Sequence, residues 1–219
     1  MMPTSAPRTA YSRAEILSDN VIHVSGLVIV LVSVPVLITL TAFLRGDFPA
    51  LLAVSVYGAT LVAMILCSAL YNILRTNRWS WLLRRLDHSA IYAKIAGTYT
   101  PFTLLGGGQG YWLLAGLWGA ALAGMGLKLA SPTRFRGLGL ALYLVMGWAG
   151  LLAGGAFLAT LSCPVIALIL TGGVIYTAGV VFYLYDRLPF HYTIWHGLVL
   201  TASMVFYAAV MVEVVQGAA

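Results

Sequence analysis

The chain has 219 residues, of which 61% are hydrophobic and 8% charged, with a mean hydropathy of +0.95. A soluble domain needs roughly 25% charged residues to wet its surface, so lipid must solvate most of this chain, and its length leaves no room for a separate soluble domain. The net charge of +6 does not signal nucleic acid, because the basic residues sit in short patches between apolar runs and not along one polar face.

Residues 1–20 read as a cytoplasmic N-terminal segment. It is not a cleavable signal, because the apolar run that follows is about 24 residues, too long for a signal core, and no small-x-small site ends it. A membrane-spanning helix needs about 20 mostly apolar residues. Seven such spans are predicted, at 21–44, 50–74, 87–105, 109–130, 136–154, 162–185 and 191–214, making one transmembrane domain over 21–214 with a short tail, 215–219. Helix breakers mark the connections: Arg45-Gly46-Asp47 with Pro49, Gly106-Gly107-Gly108, Ser131-Pro132, Pro164 and Pro189. Residues 137–185 carry no charge, so little besides Pro164 divides the fifth span from the sixth.

The fold class is therefore an all-α membrane protein, a seven-helix bundle. Its direction follows from the excess of Lys and Arg on cytoplasmic loops. Ten of the 12 basic residues fall on one side: Arg8, Arg13, Arg75, Arg78, Arg84, Arg85, Lys128, Arg134, Arg136 and Arg187. Arg45 alone falls on the other, and Lys94 lies inside the third span. The N-terminus is thus expected in the cytoplasm and the C-terminus outside. Cys67 and Cys163 fall near opposite faces of the bilayer and are expected to be free thiols. Gly150 and Gly154 form a GxxxG pair with Gly147 on the same strip, which suits close helix packing inside the bundle or, as the alternative, an oligomer through a glycine-rich face.

Polar groups at membrane depth are costly and usually functional. The alternating direction of the spans gathers Asp19 and His23, Ser68 and Asn72, Asp87 and His88, and His191, Tyr192 and His196 at the cytoplasmic end. The run Leu86-Asp87-His88-Ser89-Ala90-Ile91-Tyr92 with Ile95-Ala96-Gly97-Thr98-Tyr99-Thr100-Pro101-Phe102 resembles the third-helix signature of the hemolysin III family, the bacterial branch of the progestin and adipoQ receptors. Glu15 through His23 resembles that family's E…N-x-x-x-H element, with Asp19 at the Asn position. Ser68-Ala69-Leu70-Tyr71 resembles its second-helix S-x-x-Y-H motif, and Ile194-Trp195-His196 the end of its seventh-helix H-x-I-W-H motif.

The resemblance implies a bacterial plasma-membrane protein and a zinc ion near the cytoplasmic face. In the receptors of that superfamily one helix-two and two helix-seven histidines hold the zinc, with an aspartate and a serine nearby. The superfamily includes the alkaline ceramidases, which implies hydrolysis of a lipid amide. Bound zinc lowers the pKa of a water to about 7; Asp87 is then the candidate general base and Ser68 a steadying hydroxyl. This chain departs from the ligand pattern. Asn72 and Tyr192 occupy two of the three histidine positions and are poor zinc ligands. His196 matches, and His191 is the one other helix-seven histidine, five residues earlier. His196 and His191 are therefore the candidate metal ligands, with Asn72, Tyr192, Lys94 and His23 lining the pocket, and the departures weigh against zinc.

Lys94, two turns beyond Asp87, either points back toward it and supplies positive charge in place of a metal, or snorkels to the interface with no further role. Two function classes fit: a hydrolase of the ceramidase type, or a non-catalytic membrane sensor or homeostasis protein whose fold outlived its metal site. In both, the partners are membrane lipids, one of them as substrate or ligand.

Overall fold

In the computed structural model, residues 11–74, 78–106, 110–130, 136–153 and 155–217 are described. Arg8, Arg75, Arg134, the Gly107-Gly108 and Ser131-Pro132 breakers and Gly154 lie outside them. Every regular element among the described residues is helical: α1 (Arg13–Leu44), α2 (Phe48–Ile73), α3 (Ser80–Leu105), α4 (Tyr111–Ala130), α5 (Arg136–Leu152), a single turn α6 (Gly155–Leu158), α7 (Cys163–Leu184) and α8 (His191–Gln216). The seven long helices match the seven predicted spans. Five of them are long and apolar enough to cross a membrane; α3 is more polar along its length, through its Arg, Asp, His, Lys, Thr and Tyr residues, and α5 is shorter, at 17 residues.

Local chemistry sets the ends. Asp47 caps α2 by accepting from the Ala50 amide at 2.8 Å, with Pro49 in the first turn where its missing N–H is not needed. Gly46 makes the preceding bend at φ 65°, a conformation that favours glycine. Pro164 starts α7 in the same way, which settles the division of the uncharged stretch.

Two boundaries differ from the sequence reading. Helix α1 begins at Arg13, because Ser12 and Glu15 form a reciprocal capping box. The stretch 13–20, expected before the membrane, is thus the first two turns of α1. Helix α3 begins at Ser80, so Arg84 and Arg85 sit on its first turns and not in a loop.

The principal contacts join α2 to α3, α7 to α8, α3 to α4, α1 to α2 and α1 to α8. Helix α3 also touches α5 and α8, which makes it the central helix. Its Gly97 lets α2 approach closely: a Cβ there would collide with Thr60 Oγ1. Gly150 faces inward, its amide donating to the Tyr99 hydroxyl at 3.0 Å, so this member of the glycine strip packs within the bundle. Both cysteines are free, as expected.

Candidate functional site

Helices α1 and α8 are stitched together at consecutive turns of α1. Glu15 is 4% exposed, and its carboxylate accepts from two backbone amides, Ser12 at 2.8 Å and Phe190 at 2.9 Å. It therefore caps α1 and closes the start of α8, where Phe190 adopts a left-handed φ of 59°. A carboxylate at two helix N-termini is also favoured by their dipoles. Ser18 Oγ next meets Thr193 Oγ1 at 3.0 Å.

One turn on, Asp19 Oδ1 lies 2.6 Å from His196 Nδ1, and its other oxygen lies 3.7 Å from His23 Nε2. The two imidazole rings stand 4.4 Å apart. Asp19, His23 and His196 offer three ligand atoms within 4.8 Å of one another. Two imidazoles and a carboxylate form the nitrogen–oxygen donor set that zinc accepts, and three protein ligands leave a fourth position open. Asp19 is 1% exposed, and a carboxylate so buried needs a compensating cation, either a protonated imidazole or a metal ion.

His23 is expected in the pocket and Asp19 at an Asn position, and neither is an expected ligand. The signal was present in their spacing, since residues four apart share a helix face. His191, the expected partner of His196, is elsewhere. Its Nε2 meets the Tyr11 hydroxyl at 3.2 Å, and it lies outside the metal-competent group. At 2% exposure it is a buried residue of the α1–α8 seam. Tyr192 does approach His196, their rings stacked at 6.0 Å.

Across from the seam, α2 and α3 present the residues that the family pattern marks for chemistry. Asn72 Nδ2 donates to the Ser68 carbonyl at 3.0 Å and lies 3.5 Å from its hydroxyl. Asp87 has one close polar neighbour among the described residues, His88 Nδ1 at 3.4 Å. No hydrogen bond joins Ser68 to Asp87 among the described residues, so the steadying role expected for that serine has no contact behind it.

Both walls border a cavity of about 890 Å³. His23, Ser68, Asn72, Asp87, Lys94, Tyr192 and His196 all line it; His191 does not. The volume falls in the range of about 300–1,000 Å³ typical of small-ligand sites. The remaining wall comes from α5 and α7, which touch each other sparsely and are bridged by Trp148 Nε1 donating to Thr177 Oγ1 at 3.1 Å.

Lys94 corrects the expectation that it reaches back to Asp87. Its ammonium donates to Thr98 Oγ1 at 2.6 Å, one turn in the opposite direction. The Tyr57 and Phe206 rings flank it at 5.2 and 5.5 Å. Aromatic faces attract a desolvated cation by about 2 kcal/mol, which explains the direction it takes. An ammonium has three donors, and only the bond to Thr98 uses one among the described residues. An unmet buried donor costs about 1–3 kcal/mol, and more when charged.

The sequence pattern described as "Haemolysin-III related" matches residues 15–207. The "Hemolysin-3 homolog" of Bacillus subtilis (strain 168) is 35% identical over 201 residues, 90% of this chain and 93% of that protein. "Hemolysin-3" of Bacillus cereus is also 35% identical over 201 residues, 90% of each chain. The human "Monocyte to macrophage differentiation factor" is 30% identical over 168 residues, 71% of this chain and 67% of that protein. The chain belongs to the haemolysin III family, as an integral membrane protein with relatives in the progestin and adipoQ receptor branch.

Proposed function

We propose that this protein holds a zinc ion on Asp19, His23 and His196 at the wall of a cavity that receives a membrane lipid. Its setting is the plasma membrane of a bacterium, with the cavity's polar end toward the cytoplasm, as the distribution of basic residues indicates. The observation that carries the metal is the convergence of three donors from two helices on one buried point. The observation that carries the lipid is the mostly apolar lining of the cavity, into which polar groups project from both walls.

The reaction this arrangement serves best is hydrolysis of a lipid amide, in the manner of the alkaline ceramidases. A zinc ion bound there supplies Lewis acidity and an acidified water. The chain's own residues supply the rest. Asp19 orients the His196 imidazole through its 2.6 Å contact with Nδ1. Asp87, on the facing wall, accepts a proton. Asn72, which lines the cavity, carries an amide group suited to a polar atom of the substrate.

A second reading, a non-catalytic lipid or metal sensor, is favoured by a specific feature. Asp87 is not one of the three groups that converge, so the base and the metal stand on different helices.

Elemental analysis of purified protein tests the metal, and release of sphingosine from ceramide tests the reaction. One zinc per chain, lost in His196→Ala and Asp19→Ala, supports the site; metal-free wild-type protein overturns it. Ceramide turnover that disappears in Asp87→Asn supports hydrolysis. Zinc without turnover leaves the sensor.

A further inference from the structure

The buried ammonium of Lys94 plays no part in the metal site, and it poses a separate question. It sits near the middle of α3, 3% exposed, and lines the cavity. Among the described residues no carboxylate lies within ion-pair distance of it. Its one hydrogen bond goes to Thr98, whose own hydroxyl proton is committed to the Lys94 carbonyl at 2.7 Å. Two of its donors therefore remain available on the cavity side. Close by, Tyr57 is fully buried with its ring 5.2 Å from the ammonium, and its hydroxyl has no partner among the described residues. A cavity-lining ammonium with unmet donors and no carboxylate beside it at membrane depth is complementary to an anion and to little else.

The surroundings say what kind of anion. Phe206 stands beside the ammonium at 5.5 Å, and Trp148, Val199 and Leu200 are among the apolar residues that line the same cavity. An inorganic anion would gain nothing from such walls, whereas an acyl chain would bury its methylenes against them. The sparse seam between α5 and α7 gives a chain a route toward the lipid phase.

We propose that Lys94, held in place by Thr98, forms an anion subsite for the headgroup of a single-chain anionic lipid, a long-chain carboxylate or its phosphate counterpart, with the acyl chain held against the α5–α7 side of the cavity. The proposal rests on the reading that the cavity receives an amphiphile, and it stands without the metal. Electrostatic pairing with Lys94 distinguishes the anion from a neutral lipid of the same length.

The test is photocrosslinking of a diazirine palmitate to the full-length protein in phosphatidylcholine nanodiscs, competed with unlabelled palmitate, hexadecyl phosphate or hexadecanol. Labelling should map to the cavity, and both anions should compete at least about tenfold better than hexadecanol. Lys94→Met should weaken palmitate at least about tenfold and leave hexadecanol within about threefold, whereas Lys94→Arg should retain most of the preference. Palmitate competing alone identifies the carboxylate as the source; hexadecyl phosphate competing alone identifies the phosphate. Thr98→Val serves as the second variant and should erode the same preference. Equal competition by hexadecanol, or a preference unchanged in folded Lys94→Met, overturns the proposal while leaving the lipid cavity standing. Absence of any labelling overturns both. Palmitate binding that survives in Asp19→Ala, where the metal is expected to be lost, separates this subsite from the zinc reading.

Discussion

The two walls of the cavity solve the same problem differently. On the α2–α3 wall, the described side-chain pairs of these residues run along one helix: Asn72 with Ser68, and Asp87 with His88. On the α1–α8 wall, they pair between helices, Glu15 with Phe190, Ser18 with Thr193, and Asp19 with His196. A group satisfied within its own helix does not draw two helices to one point. Groups satisfied between helices do, and that is why the only metal-competent cluster among the described residues lies on the α1–α8 side. The family's expected ligand positions on α2 and α8, now Asn72 and Tyr192, border the cavity without joining the cluster.

The largest effect that bears on this contrast is loss of the metal. Removing His23, His196 or the Asp19 carboxylate should weaken zinc by more than about 1,000-fold, about 4 kcal/mol, beyond the 10–100-fold of outer-shell changes. Asp87→Asn and Ser68→Ala should leave zinc affinity within about threefold. Competition against a zinc chelator measures both. Equal losses on the two walls would erase the distinction between them.

Next in size is Glu15→Ala. It removes two hydrogen bonds to a charged group at once and leaves the Phe190 amide unpaired. At about 1.5–3 kcal/mol for a single charged hydrogen bond, and with partial relaxation, the loss should be about 3 kcal/mol, seen as a lower Tm in detergent. Because the α1–α8 seam positions Asp19, zinc affinity should fall with it. On the opposite wall, Gly97→Ala should cost about 2 kcal/mol through overpacking, since the new Cβ meets the stiff Thr60 side chain at the α2–α3 contact. Zinc bound per folded chain should not change in that variant. A drop there would mean that α2–α3 packing, and not the α1–α8 seam, sets the cluster.

Much of this was legible in the sequence. Hydropathy marks five of the seven long helices, because an apolar run of bilayer length has few other uses, and helix breakers such as Pro164 divide the rest. The family resemblance rested on the α3 run from Leu86 to Phe102, which holds the central helix of the bundle. What was not legible followed from helix starts and side-chain direction. The α1 boundary was missed because hydropathy rises only after Asn20, although Ser12-Arg13-Ala14-Glu15 is a capping box by sequence. With α1 started late, Asp19 and His23 were not seen as one helical face. His191 was paired with His196 on proximity in sequence, whereas the start of α8 turns it toward Tyr11. The direction of Lys94 depended on Tyr57 and Phe206, residues on two other helices that no local pattern connects to it.

The smallest effect tests whether the seam and the cap that starts it are separable. Ser12 Oγ accepts from the Glu15 amide at 3.2 Å, while the Glu15 carboxylate independently reaches Phe190. Ser12→Ala deletes the first interaction and keeps the second. Loss of a helix cap typically costs about 1 kcal/mol, and the first turn of α1 would fray without releasing α8. The expected result is a Tm lowered by a third as much as in Glu15→Ala, with zinc affinity held within about threefold. Ser12→Ala falling as far as Glu15→Ala in both readouts would mean that the carboxylate is placed by the cap and has no hold of its own on α8. The stitching of α1 to α8, and with it the reason the metal cluster lies on that wall, would then reside in how α1 begins and not in the groups that cross between the helices.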